Sequence, residues 1–434
     1  LKFFPLIARL KLYPFFCFIV KFWRFFMGLA DWRGFSKTLK QSLAAYAFNV
    51  CGIVAGSIIA YYSGLFNVAP WAVVVYPPIL SARGVIGGLF CGRISTGLHL
   101  GIIQPRFFGN TRSFYLLFKA IIVMTCEASL MMSLISIFFR STYSLITVND
   151  FLNIISMIMT TMALALVVIS PLTMVVSFLS FKHGIDPDVV LYPIESTVSD
   201  VLITILYIAV LNISLFHNFL GQLFLALATL ALLAATALTL VKTLREPVFI
   251  KTLKESIPTI VFVSFIINIA GATLGKVDEV LRAKQEIYRT YPVYVVYPAL
   301  IDTIGDVGAV IGSTATTKLA LGTLKPSFSS MKNHAAEISG AWAASLIMYI
   351  AYSILALTTQ GLMSPANLLK FTLLLLTANA MASFFIIIIS YSVAILTYQK
   401  GLDPDNFEIP IESSMADSIT TISLLTAMTL LVGS

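Results

Sequence analysis

A chain of 434 residues with 58% hydrophobic and only 11% charged residues is too apolar for an ordinary soluble globule, because soluble proteins carry roughly 25% charged residues. Its mean hydropathy of +0.93 places most of its surface against lipid. The net charge of +8 does not point to nucleic acid, since Lys and Arg in a membrane protein gather in cytoplasmic loops and hold the topology.

In chain order, residues 1–38 come first, a basic and aromatic stretch in which Lys11, Lys21 and Arg24 interrupt any long apolar core. That pattern argues against a signal peptide and for an amphipathic segment at the membrane surface. Apolar runs of about 20 residues then give eleven spans near 39–62, 70–102, 115–139, 152–181, 189–216, 219–241, 255–274, 292–322, 336–359, 366–397 and 406–433. Cations cluster before the first span and in alternate loops, as at Arg106, Arg112 and Lys119 or at Lys242, Arg245, Lys251 and Lys254. The positive-inside rule therefore predicts a multi-pass cell-membrane protein with a cytoplasmic N-terminus and an extracytoplasmic C-terminus. Cys17, Cys51, Cys91 and Cys126 all lie in the first half without metal-ligand spacing, and they read as packing residues.

The chain repeats itself. GIDPDVVLYPIESTVSDVLIT from Gly184 returns as GLDPDNFEIPIESSMADSITT from Gly401, an offset of 217 residues. YPPILSARGVIGG from Tyr76 returns as YPALIDTIGDVGA from Tyr297, an offset of 221. Two segments repeated in one order at nearly one offset mark a duplication. The expected fold is an all-α polytopic membrane protein of about eleven transmembrane helices. It divides into a first five-helix repeat over 39–217, a linking helix over 218–245 and a second five-helix repeat over 246–434. An odd span count would invert the second copy, and the linking helix restores the direction. The repeats are then parallel, about a pseudo-two-fold axis along the membrane normal.

Ionisable groups in hydrocarbon cost roughly 2.5–3.5 kcal/mol each on insertion scales, so they face a polar interior or a pathway. Asp200 and Asp417 are such groups at matched positions. Ser196 and Ser413 lie four residues before them and Thr204 and Thr421 four after, on the same helical face. A carboxylate among hydroxyls attracts a cation and lets it leave, and two carboxylates suit a divalent ion that keeps its water. Glu195 and Glu412 point to another side of the helix and form a second polar layer or an indirect support. The Asp186-Pro187-Asp188 and Asp403-Pro404-Asp405 triplets suit helix capping, with an ion site at the cytoplasmic mouth as the sharper alternative. Gly84, Gly88 and Gly92, and Gly308 and Gly312, are spaced for close helix approach. Asp302 and Asp306 add two carboxylates to the second copy only, and Arg83 stands where that copy has Ile304. His99, with no partner spacing around it, reads as an interfacial residue.

These two motifs, with Arg93-Ile94-Ser95-Thr96, resemble the membrane domain of MgtE-type magnesium transporters and of their two-repeat relatives, solute carrier family 41. The resemblance covers most of residues 39–434 apart from the linking span. It implies a pore at a two-fold interface, with Asp200 and Asp417 binding hydrated Mg²⁺. It also implies a single chain that reaches by tandem duplication the symmetry other members reach by dimerising. Two departures stand out: the family's Asn before the second glycine reads Val85 and Asp306 here, and no soluble segment is long enough to hold a regulatory domain.

The expected function is therefore a divalent-cation channel or transporter, with Mg²⁺ as the transported ion and an acidic pathway at the interface of the repeats. Asp200, Asp417, Ser196, Ser413, Glu195, Glu412, Asp302 and Asp306 are its candidate metal residues. The expected partners are divalent cations and the lipid bilayer, with no nucleic acid and no cofactor. The alternative is a Na⁺- or H⁺-coupled exchanger, with Glu195 or Asp302 as the coupling site. An intramembrane aspartyl protease, the remote alternative, would need Gly where the T-I-G-D sequence has Thr303.

Overall fold

The computed structural model describes residues 21–431 apart from 23, 27, 29, 142–146, 184–186, 217, 284–290 and 401–403. Side chains at 149, 187–196, 248, 251, 255–256 and 404–411 are also outside the description. Most of the surface segment and both Asp-Pro-Asp triplets therefore lie, wholly or in their side chains, outside the described residues.

Eleven helices are long and apolar enough to cross a membrane among the described residues, and no strand is present there. They are α1 (Trp32–Tyr61, with a 3₁₀ turn at Ala47–Cys51), α2 (Pro70–His99), α3 (Arg112–Ser141), α4 (Val148–Lys182) and α5 (Pro187–Leu215). The linking helix α6 (Phe219–Thr243) follows, then α7 (Pro247–Ala283), α8 (Val293–Ala320), α9 (Ala335–Thr359), α10 (Pro365–Gln399) and α11 (Pro404–Leu431). This is an all-α, multi-pass membrane protein.

Several boundaries differ from the sequence expectation, the first and seventh helices most. The helix of the first span begins at Trp32, where Asp31 caps it by accepting from the Gly34 amide at 3.0 Å, so residues 32–38 continue into that helix. The seventh extends to Ala283, because its polar last turns are supported by an Arg282–Asp278 ion pair of 2.6 Å at i,i+4 spacing. The ends of α2 and α8 repeat each other. Each is closed by a left-handed glycine, Gly101 and Gly322, both at φ +69°, a conformation glycine adopts without a Cβ penalty.

The chain forms two compact units, one of residues 1–53 and 277–434 and one of 54–276. The second contains α2–α6 and α7 up to Lys276; the first contains α8–α11 with α1 up to Ile53. The same contacts recur inside each. As α2 packs on α3, α4 and α5 in one unit, so α8 packs on α9, α10 and α11 in the other. α2 and α8 are the central helices, with 78% and 72% of their apolar windows buried against 17% for α6.

The compact units do not follow the repeat boundaries. The leading helix of each repeat packs in the unit built from the other repeat's helices. Gly52 on α1 lies so close to α8 that a Cβ there would stand 2.8 Å from the Ala299 amide nitrogen. Gly271 on α7 lies so close to α2 that a Cβ would stand 2.0 Å from the Val74 carbonyl oxygen. That carbonyl is one that Pro78, lacking an N–H, cannot bond within the helix. Ala299 and Pro78 are equivalent positions of the two repeats, so the exchange is made by one device used twice.

Candidate functional site

The two repeated motifs are joined by a repeated hydrogen bond. In the 54–276 unit, the Tyr76 hydroxyl on α2 meets the Thr204 hydroxyl on α5 at 3.0 Å. In the other unit, Tyr297 on α8 meets Thr421 on α11 at 2.9 Å. Both threonines are fully buried, and Thr421 also donates to the Asp417 carbonyl oxygen at 2.6 Å. These threonines therefore do not extend a hydroxyl stripe facing an ion. They clamp the carboxylate helix to the Tyr-Pro helix, one turn beyond each Asp.

The clamp gives each carboxylate the same setting within its own unit. Asp200 and Asp417 are 9% and 6% exposed. Gly305, between Asp302 and Asp306 on α8, faces Ala416, the neighbour of Asp417, with 3.9 Å from its Cβ position to the Ala416 Cβ. The acids of α8 and α11 thus share a level of their unit. Glu412 is 2% exposed and Ser413 half-buried on α11. Glu195 and Ser196 lie on α5, with their side chains outside the described residues. Among the described residues, no group of three or more His, Cys, Asp or Glu converges as a metal cage.

At the matching level of the other unit, the buried Arg83 guanidinium donates to the Ser199 hydroxyl at 3.0 Å. Ser199 is the neighbour of Asp200 and the equivalent of Ala416. The polar chemistry of the two units therefore differs here within a common frame.

The structure adds two residues that motif reading passes over. Asn49 on α1 donates from Nδ2 to Asp306 at 2.7 Å and to the Thr303 hydroxyl at 3.3 Å, and Thr303 meets the Tyr352 hydroxyl at 2.8 Å. Its counterpart, Asn268 on α7, meets Ser136 at 2.5 Å and donates to the Ser264 carbonyl at 2.7 Å. The signal was present as N-x-x-G-x-x-x-G at Asn49, Gly52 and Gly56, repeated at Asn268, Gly271 and Gly275 with an offset of 219. Where the second repeat has Asp306, the first has Val85, which leaves no carboxylate at that point for Asn268.

Loss of a donor to a buried carboxylate costs about 1–3 kcal/mol or more. Asn49→Leu is accordingly expected to lower thermal stability by that amount. Asp306→Asn in the same background should recover part of it, measured as a double-mutant cycle of melting. Additive effects would show that the 2.7 Å contact is not energetically coupled.

The glycine spacing divides in the structure. A Cβ at Gly308 would stand 2.8 Å from the Ser390 hydroxyl and 3.0 Å from Ile386, a close α8–α10 approach, whereas Gly84 has open space around it. Cys91 and Cys126 are buried packing residues and Cys51 is exposed. His99 is exposed at the end of α2, its ring 5.6 Å from that of Phe181.

The described residues thus form an all-helical, multi-pass membrane protein built twice on a Tyr-Pro helix clamped to a carboxylate helix. The family model MgtE, described as divalent cation transporter, matches residues 76–210 and again 297–427, together more than half of the chain. The chain belongs to this family of divalent cation transporters. Searches of curated proteins and of solved structures returned no match.

Proposed function

We propose that the chain conducts or transports Mg²⁺, through a pathway lined by Asp200 and Asp417 with Ser196, Ser413, Glu195, Glu412, Asp302 and Asp306 as further polar groups. The observation that carries this is the repeated clamp, Tyr76–Thr204 and Tyr297–Thr421, which holds one buried carboxylate in the same setting in each unit. Mg²⁺ dehydrates reluctantly and is commonly held by one or two carboxylates through retained water, which suits separate carboxylates better than a cage. A single chain with both repeats is the functional unit in this reading. Its N-terminus is cytoplasmic and its C-terminus extracytoplasmic, as the loop cations favour.

The test is ion entry into proteoliposomes holding the purified chain, followed for Mg²⁺, Mn²⁺, Ca²⁺ and Na⁺ with and without imposed Na⁺ or pH gradients. Entry of Mg²⁺ down its own gradient, without a counter-gradient, is the expected result. Entry only with an opposing Na⁺ or H⁺ gradient would replace conduction by coupled exchange. Absence of flux for every divalent ion would overturn the proposal.

A further inference from the structure

We infer that the two matched carboxylates are unequal and that Arg83 makes them so: Asp417 binds the transported divalent cation, while Arg83 guards the Asp200 half against it. This rests on the reading of Asp200 and Asp417 as pathway carboxylates and assigns Arg83 as a specificity-determining residue within it.

The common frame makes the comparison direct. Gly84 and Gly305 are equivalent, as are Ser199 and Ala416, and Arg83 and Ile304. In the unit containing α8 and α11, Gly305 faces Ala416 and Ile304 is fully buried. In the unit containing α2 and α5, the Arg83 guanidinium reaches Ser199 at 3.0 Å, so a positive charge sits at the level of Asp200. Arg83 is 6% exposed. It also forms part of the wall of a cavity whose other sides include Ile121, Thr125, Met162 and Ser170. A guanidinium stays charged in proteins, and in a site shielded from bulk water its repulsion of a second cation is strong.

Charge on the spans themselves runs the same way. The spans Val293–Ala320 and Glu412–Leu431 hold Asp302, Asp306, Glu412 and Asp417, with Lys318 as their one cation. Lys318 lies in the last turn of α8 and pairs with Glu337 at 2.8 Å. The stretches at equivalent positions, 72–99 and 195–214, hold two acids, Glu195 and Asp200, against two cations, Arg83 and Arg93; Arg93 donates to Thr252 at 2.8 Å. A divalent cation is therefore drawn to the second repeat's helices and repelled at the matching level of the first. Duplication within one chain permits this division, since each copy can change alone, whereas a symmetric pair of identical chains must carry an arginine in both halves or in neither.

Mn²⁺ titration of the full-length purified chain, followed by paramagnetic resonance, tests the inference. Asp417→Asn is expected to weaken Mn²⁺ binding at least tenfold more than Asp200→Asn. With Arg83→Met as background, the two losses should come within about threefold of each other by coupling between neighbouring groups, and Arg83→Lys should keep them unequal. Equal losses in the unsubstituted background would overturn the inference, as would a ratio that Arg83→Met leaves unchanged. The comparison in the unsubstituted background decides the question by itself if Arg83→Met does not fold. Failure of the underlying reading looks different: the unsubstituted chain would then bind no Mn²⁺ and pass no divalent ion.

Discussion

Replacing Asp200 and Asp417 together by Asn is expected to reduce Mg²⁺ flux into proteoliposomes at least a hundredfold while leaving the chain folded. Asn keeps the shape of Asp and removes its charge. A unit charge about 4 Å from another is worth about 4 kcal/mol at the effective dielectric of a partly shielded site, and a loss of about 2.8 kcal/mol is already a hundredfold. Folding should survive because the clamp does not use the carboxylates: Tyr297 bonds Thr421, and Thr421 donates to the backbone oxygen of residue 417. Flux from the doubly substituted chain within threefold of the unsubstituted chain would remove these carboxylates from the pathway. Loss of the folded species on gel filtration would instead show that their role is structural.

Gly271→Ala is expected to lower stability by more than about 3 kcal/mol, the upper part of the range for overpacking. The reason is the kind of atom it meets. The new Cβ would stand 2.0 Å from the Val74 carbonyl oxygen and 3.0 Å from the Pro78 ring, and neither is the mobile end of a side chain. Helix α7 would have to move off α2, and the Asn268–Ser136 bond of 2.5 Å beside it would be strained. Gly52→Ala should act in the same direction but less, with 2.8 Å to the Ala299 amide. Gly84→Ala is the control: it meets nothing within 4 Å and should gain the roughly 1 kcal/mol by which Ala exceeds Gly in a helix. Thermal melting of the three variants in one detergent ranks them. A Gly271→Ala chain that melts with the unsubstituted protein would show that this approach is not part of the stable fold.

Arg83, Asp200 and Asp417 could be singled out without coordinates, because a charge in an apolar run is costly and therefore conspicuous. The spans were legible for a related reason: lipid demands length and apolarity, and the eleven runs between Trp32 and Leu431 have both. The duplication could be read from the repeated Tyr-Pro and Asp-Pro-Asp segments, and with it the family. Which helix packs on which was another matter. Apolarity towards lipid does not say which neighbour a helix packs on, so nothing along α1 and α7 announces that each joins the unit built from the other repeat's helices. Thr204 and Thr421 share a helical face with the carboxylates, yet they bond Tyr76 and Tyr297, since a hydroxyl's partner depends on the neighbouring helix and not on spacing along its own. Composition and repetition thus determined a duplicated, all-helical membrane protein, and the motifs' family likeness made it a divalent cation transporter. Only tertiary packing decided that Asn49 meets Asp306, that Gly271 lies on the Val74 carbonyl, and that Arg83 stands at the level of Asp200. Those contacts join residues far apart in sequence, and polar pairing between helices is chosen by proximity in three dimensions.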